Sequence, residues 1–97
     1  MKMIQFSKQA LIDLQAIKRY TYSKWSSEHY IAYRDSLLDE CYSLPQKTQQ
    51  ISFSKYKNYF YTHCLHHFVF FRITEKDVFI VRILHERQRF AKHLHVL

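Results

Sequence analysis

Apolar residues recur along this chain at two spacings, three to four residues apart before Pro45 and in short aromatic and β-branched runs after it. Lys2–Phe6 alternates weakly and reads as a first strand. Ser7 is placed to cap a helix, its hydroxyl accepting from first-turn backbone N–H groups. From there Ala10, Leu14, Ile17, Thr21 and Trp25 mark a helical stripe, widened by Leu11, with Asp13, Lys18 and Lys24 assigned to the wet side. Ser26 or Ser27 caps a second helix, with Glu28 suited to its positive end. Its buried face is Tyr30, Tyr33, Leu37, Cys41 and Leu44, and Pro45 forbids continuation. Helices joined by so few residues fold back as an antiparallel hairpin.

After Pro45 the period changes. Gln46–Lys57 is expected as a loop, and Asn58–Thr62, Phe68–Ile73 and Val78–Leu84 as strands. Thr74–Asp77 closes a hairpin between the last two. Phe90, Leu94 and Leu97 are spaced as a short terminal helix. The expected fold class is α+β over one domain, residues 1–97: an N-terminal strand, a helical hairpin on a small, mostly antiparallel sheet of three or four strands, and a short C-terminal helix. There is no glycine. Turns are therefore expected to avoid positive φ, and no glycine-rich phosphate cradle exists.

Composition narrows the class. Eight Phe, eight Tyr and one Trp exceed what a core of this size needs, which leaves aromatics for a partner. Two cysteines without framework spacing, no leader-like segment and no long apolar run point to a soluble, cytoplasmic protein. The formal net charge is +7, and it is uneven: residues 51–97 carry eight Lys/Arg against three Asp/Glu. An acidic partner is expected, nucleic acid or an acidic protein segment.

No cofactor, metal or catalytic site emerges. Of His63, Cys64, His66 and His67, at most two could meet one ion, since neighbours along a strand alternate faces. Cys64 has histidines beside it only in sequence, and Cys41 sits on a buried helix face. The basic set Arg72, Arg82, His85, Arg87, Arg89 and Lys92 stands out. If Ile73 pairs with Val78, Arg72 shares a sheet face with Phe70, Phe79 and Val81, and Arg82 the face of Phe71 and Ile80. An arginine inside an apolar strand needs a partner. A structural ion pair and a socket for an acidic partner residue both stay open.

Read in order, these segments resemble the ParE/RelE toxin superfamily of type II toxin–antitoxin modules, most closely its ParE branch. Ala10, Asp13, Leu14, Ile17 and Tyr20 fit the family's opening A..DL..I..Y. His67–Ile73 resembles its aromatic-Tyr-Arg strand, with Phe71 in place of the tyrosine and Arg72 retained. Ile80–Leu94 matches the V-L-H-x-R run that ends on H-L. The resemblance implies a toxin neutralised by a cognate antitoxin in a hetero-oligomer, acting on DNA gyrase in the ParE branch or on ribosome-bound mRNA in the RelE branch. His85, Arg87, Arg89 and Lys92 are then the candidate target-binding residues. Tyr20, Tyr33, Arg72 and Arg82 are the candidates for an acidic, amphipathic antitoxin segment. A RelE-type ribonuclease would use Arg87 with His85 or His93 and Lys55 or Lys57. Phe68 and His93 stand where that branch has an arginine and a tyrosine, so a binding-type, non-enzymatic inhibitor is favoured.

Overall fold

The computed structural model describes residues 2–46, 52–53, 59–90 and 94. Strand β1, Met3–Phe6, runs into Ser7, which joins two elements. The Ser7 hydroxyl oxygen accepts from the Ala10 N–H at 2.9 Å and donates to the Val81 carbonyl at 2.6 Å. That cap starts α1, Lys8–Lys24, and fastens it to the last strand. The Ser26 side chain accepts from the His29 N–H at 3.1 Å and starts α2, Ser27–Ser43, antiparallel to α1. A 3-10 turn at Leu44–Gln46 holds Pro45. Both caps and the hairpin are as the sequence pattern predicts.

Four further strands complete the sheet: β2, Ser52–Phe53; β3, Phe60–Cys64; β4, His67–Ile73; and β5, Asp77–His85. The order is β1-β5-β4-β3-β2, antiparallel except for the β1–β5 pair. Four strands have four or more residues, and the two-residue β2 falls inside the segment expected as loop. β3 begins two residues later than expected. Ile73 does pair with Val78, and a bulge between Phe70 and Phe71 shifts the register so that Phe70 meets Arg82 and Phe71 meets Ile80.

The sheet buries both faces. Against the helices lie Val69, Phe71, Val78, Ile80 and Ile83 with Ala10, Ile17, Leu37, Cys41 and Leu44. On the far face Tyr59, Phe70, Val81 and Leu84 enclose Leu94, with Phe68, Phe79 and Phe90 packed around them. Phe90 and Leu94 both have helical backbone and pack on this face; the residues between and after them lie outside the described ones. Lys92, His93 and Leu97 lie outside the described residues, as do Lys55 and Lys57. Among the described residues no helix is long and apolar enough to cross a membrane.

Three side chains depart from expectation. Asp13 is not on the wet side: it stands three residues after Ala10 and four before Ile17, hence on the buried face, where it meets Arg82. Trp25 is not buried, because α1 stops at Lys24 and the C-cap backbone turns the indole outward, 66% exposed. Leu65 takes φ 57° in the tight turn between β3 and β4, so this chain does place a non-glycine residue in the left-handed region. That conformation costs a branched residue about 1–2 kcal/mol. Leu65→Gly should therefore raise the melting temperature by a few degrees, since about 1 kcal/mol corresponds to about 4–8 °C in a domain of this size. Leu65→Val should lower it, β-branching being worse still at positive φ; calorimetry on both variants reads the two signs.

Candidate functional site

The end of β5 builds a self-capped turn. The His85 N–H donates to the Gln88 side-chain oxygen at 2.7 Å, and the Gln88 N–H returns to the His85 carbonyl at 2.9 Å. The Arg87 N–H donates to His85 Nδ1 at 3.1 Å. Each bond uses backbone groups or the His85 and Gln88 side chains, so the side chains of Arg87 and Arg89 are not consumed in shaping the turn and stand exposed. His85 itself is half-buried. Its described contacts make it the frame of the turn.

The turn is pinned to the β3–β4 turn beside it. The Glu86 N–H donates to the His66 carbonyl at 3.0 Å, and the Glu86 carboxylate lies 3.2 Å from His66 Nδ1 and 3.1 Å from His63 Nε2. Hydrogen bonding from His66, then His63, holds this carboxyl below its usual range. Below them His67 packs edge-on to His85 at 5.1 Å. Tyr33 of α2 completes the support: its hydroxyl accepts from the His66 N–H at 3.1 Å and contacts His67 Nδ1 at 2.6 Å. The Tyr33 hydroxyl and His67 Nδ1 share one hydrogen bond, whose direction is set by the imidazole tautomer.

Burial, and after it the neighbouring His85 and His66, pushes His67 down to about 4. Burial likewise raises the Tyr33 hydroxyl. At neutral pH the Tyr33–His67 pair is therefore an uncharged strut. A histidine depressed in the folded state contributes stability that is complete above the ordinary value of 6.5 and is lost as pH falls toward 4. Urea titrations should show stability falling by roughly 2–3 kcal/mol over that window. His67→Gln, which cannot take the proton, should flatten the curve between pH 6.5 and 4.5.

The four candidates for antitoxin contact do not form one patch. Tyr20 is exposed on α1, and Tyr33 is the half-buried strut just described. Arg72 is exposed, with its guanidinium 4.6 Å from the Tyr59 ring centroid and 2.8 Å from its hydroxyl. Arg82 points the other way, into the helix side, and is 9% exposed. It donates twice to the Asp13 carboxylate, at 2.9 Å each, while the Ile83 N–H donates to the same carboxylate at 2.9 Å. Of the two readings open for Arg82, the structure supplies the partner that an internal ion pair requires.

A separate groove runs along the outer seam of the hairpin. It has a volume of about 450 Å³, a floor of Leu11, Leu14, Tyr30 and Leu38, and Lys8 and Arg34 at its rim. Sequence reasoning missed this groove, the Asp13–Arg82 pair and the Glu86 clamp. One signal for the clamp was present: Glu86 is the only carboxylate after Asp77.

Cys41 is buried, which pushes its thiol up to about 12, and the Cys64 thiol contacts the Ser36 carbonyl at 3.7 Å. Among the described residues no three His, Cys, Asp or Glu side chains are arranged to hold a metal ion.

Three comparisons bear on kinship. The family model for the ParE toxin of the type II toxin–antitoxin system parDE matches residues 4–90. No curated protein sequence matches significantly. Among solved structures, the chromosomal ParDE toxin–antitoxin system of P. aeruginosa contains a chain that superposes with a TM-score of 0.79. The two are 19% identical, over 88% of this chain and 96% of that one. YafQ of E. coli gives a TM-score of 0.52 at 17% identity, covering 89% of this chain and 94% of its own. The protein HP0894 of Helicobacter pylori gives 0.52 at 12% identity, covering 91% and 98%. At such identities the structural likeness speaks for the fold, whereas the family match spans almost the whole sequence. The chain belongs to the ParE toxin family of type II toxin–antitoxin systems.

Proposed function

We propose that this toxin-family chain inhibits DNA gyrase by binding it through the Arg87–Arg89 turn. The observation that carries this reading is how the turn is made. His85, Gln88, Glu86 and His66 beneath it bond to one another and to the turn's backbone, and the two arginines above it stand exposed. That is the layout of a rigid docking element, in which preorganised cations lose little freedom on association. Lys92 belongs to the same basic segment in sequence. No proton-transfer step is needed, and the protein acts as a stoichiometric inhibitor in the cytoplasm.

Family membership makes an antitoxin the natural partner. We take it to be an acidic, amphipathic segment that seats an apolar face in the hairpin groove, with Lys8 at the rim meeting its carboxylates beside the Arg34–Asp35 pair. Tyr20 and Arg72, both exposed, extend the reach of that segment beyond the groove.

A second reading, ribosome-dependent cleavage of mRNA, draws on one observation: His63, His66, His67 and His85 gather beside Arg87. Two facts weigh against it. His67 stays neutral near pH 7, and His85 Nδ1 is occupied by the Arg87 N–H. The experiment is a pair of assays on the purified toxin, gyrase supercoiling and mRNA cleavage on translating ribosomes. Inhibition of supercoiling with intact mRNA is the expected result. Cleaved mRNA, lost about 100-fold or more with His85→Gln, would transfer the site to the ribonuclease reading.

A further inference from the structure

At the far end of the hairpin the fold leaves its most buriable side chain in water. Trp25 caps α1 through its backbone, with its N–H bonded to the Thr21 carbonyl, and any residue could do that. Nothing in the core needs an indole here, yet one is present and two-thirds exposed. It lies nearly parallel to His29, centroids 4.9 Å apart and planes at 16°, so one broad ring face is braced and the other is open.

The surroundings have a pattern. Lys18 and Tyr22 stand at i and i+4 on α1, Lys24 closes the helix, and Trp25 caps that same end. Lys18 Nζ stands 5.7 Å from the Tyr22 ring centroid, and Tyr22 packs on Tyr30 at 5.2 Å. From residue 18 to residue 30 three Lys/Arg stand with a single carboxylate, Glu28. Braced aromatic faces set among flexible cations are what an unpaired base and its flanking phosphates require. An acidic peptide would find the cations but would leave the indole face without a flat counterpart.

We propose that this tip is a docking surface for single-stranded nucleic acid, with a base stacked on Trp25 and phosphates held by Lys18, Arg19 and Lys24. It lies on a different element from the Arg87–Arg89 turn, and it holds whether gyrase or the ribosome is the target.

Trp25 is the only tryptophan in the chain, so its own fluorescence reports on the site. The full-length toxin is titrated with a 12-nucleotide oligothymidylate, with a duplex of the same length, and with polyglutamate. Oligothymidylate should quench the emission and bind more tightly than the duplex. Three phosphate contacts predict a log–log salt slope near −2, hence roughly 20-fold weaker binding at 200 mM than at 50 mM salt. Trp25→Ala, followed by anisotropy of labelled oligonucleotide, should weaken binding by about tenfold or more, and Trp25→Phe by less. Lys24→Glu should reduce the salt slope by about 0.7. Circular dichroism checks that each variant keeps its fold. Emission unchanged by oligothymidylate, or an affinity indifferent to Trp25→Ala, overturns the proposal. A stronger response to polyglutamate also overturns it and gives the tip to an acidic protein segment.

Discussion

Arg87→Glu and Arg89→Glu are expected to abolish growth arrest while leaving the protein folded and melting within a few degrees of its parent. Both side chains are exposed, and the hydrogen bonds that shape their turn come from His85, Gln88 and the backbone. Exposed charges contribute about 0–1 kcal/mol to stability, so reversing one leaves the fold in place. Its effect on a charge-complementary interface is far larger, because attraction becomes repulsion at the point of contact. Phe90→Ala should show the inverse pattern. The ring packs edge-on to Phe68 and Phe70, each at 5.1 Å, and removing a packed ring of this kind costs about 3 kcal/mol. Growth arrest on induction, set beside a melting curve for each purified variant, separates the two effects. If both glutamate variants stay toxic and stable, the target meets another surface.

The largest expected loss of stability belongs to Asp13→Ala. One carboxylate there satisfies both the Arg82 guanidinium and the Ile83 N–H, in a pair whose side chains are each 11% exposed. Removing one member of such a pair strands the other charge and costs about 3–5 kcal/mol. For a domain of this size that is a fall in melting temperature of at least about 12 °C. Asp13→Asn should fall between, since it still offers an oxygen to Ile83 but no charge to Arg82. Replacing both partners together, Asp13→Leu with Arg82→Met, should recover most of the loss, because no buried charge is then left unpaired. Urea midpoints of the three variants give the ranking. A small loss for Asp13→Ala would mean that water or another group takes over the guanidinium.

How much of this was legible in the sequence depended on the distance over which each feature is determined. Ser7 and Ser26 announce helix starts because a cap is settled within three residues, and Pro45 stops α2 for an equally local reason. The Ile73–Val78 register follows from the hairpin loop between them. The Asp13–Arg82 pair spans 69 residues, and no local pattern says which charge will meet which. The helical stripe could still have corrected Asp13, which sits between Ala10 and Ile17 on the face that must be buried. Trp25 was misplaced because hydrophobicity argues for burial whereas the C-cap geometry, outside the helical period, decides its direction. At the candidate site the basic residues could be read directly. Their support by Tyr33, His66, His67 and Glu86 draws on α2 and the β3–β4 turn, and only the folded sheet brings these together.

The parallel pairing of β1 with β5 has a consequence for how the protein is made. Met3–Phe6 pairs with residues 77–80, Ser7 bonds to Val81 and Asp13 to Arg82, so the opening segment finds its partners about 70 residues later. At 5–20 residues per second, a nascent chain spends roughly 4–15 s with β1 and the start of α1 lacking the strand that locks them. The β3, β4 and β5 hairpins close locally once synthesised, but the N-terminal strand and first helix must wait for the end of that process. Each newly synthesised copy therefore passes through an interval in which it exists as polypeptide but not yet as a folded toxin.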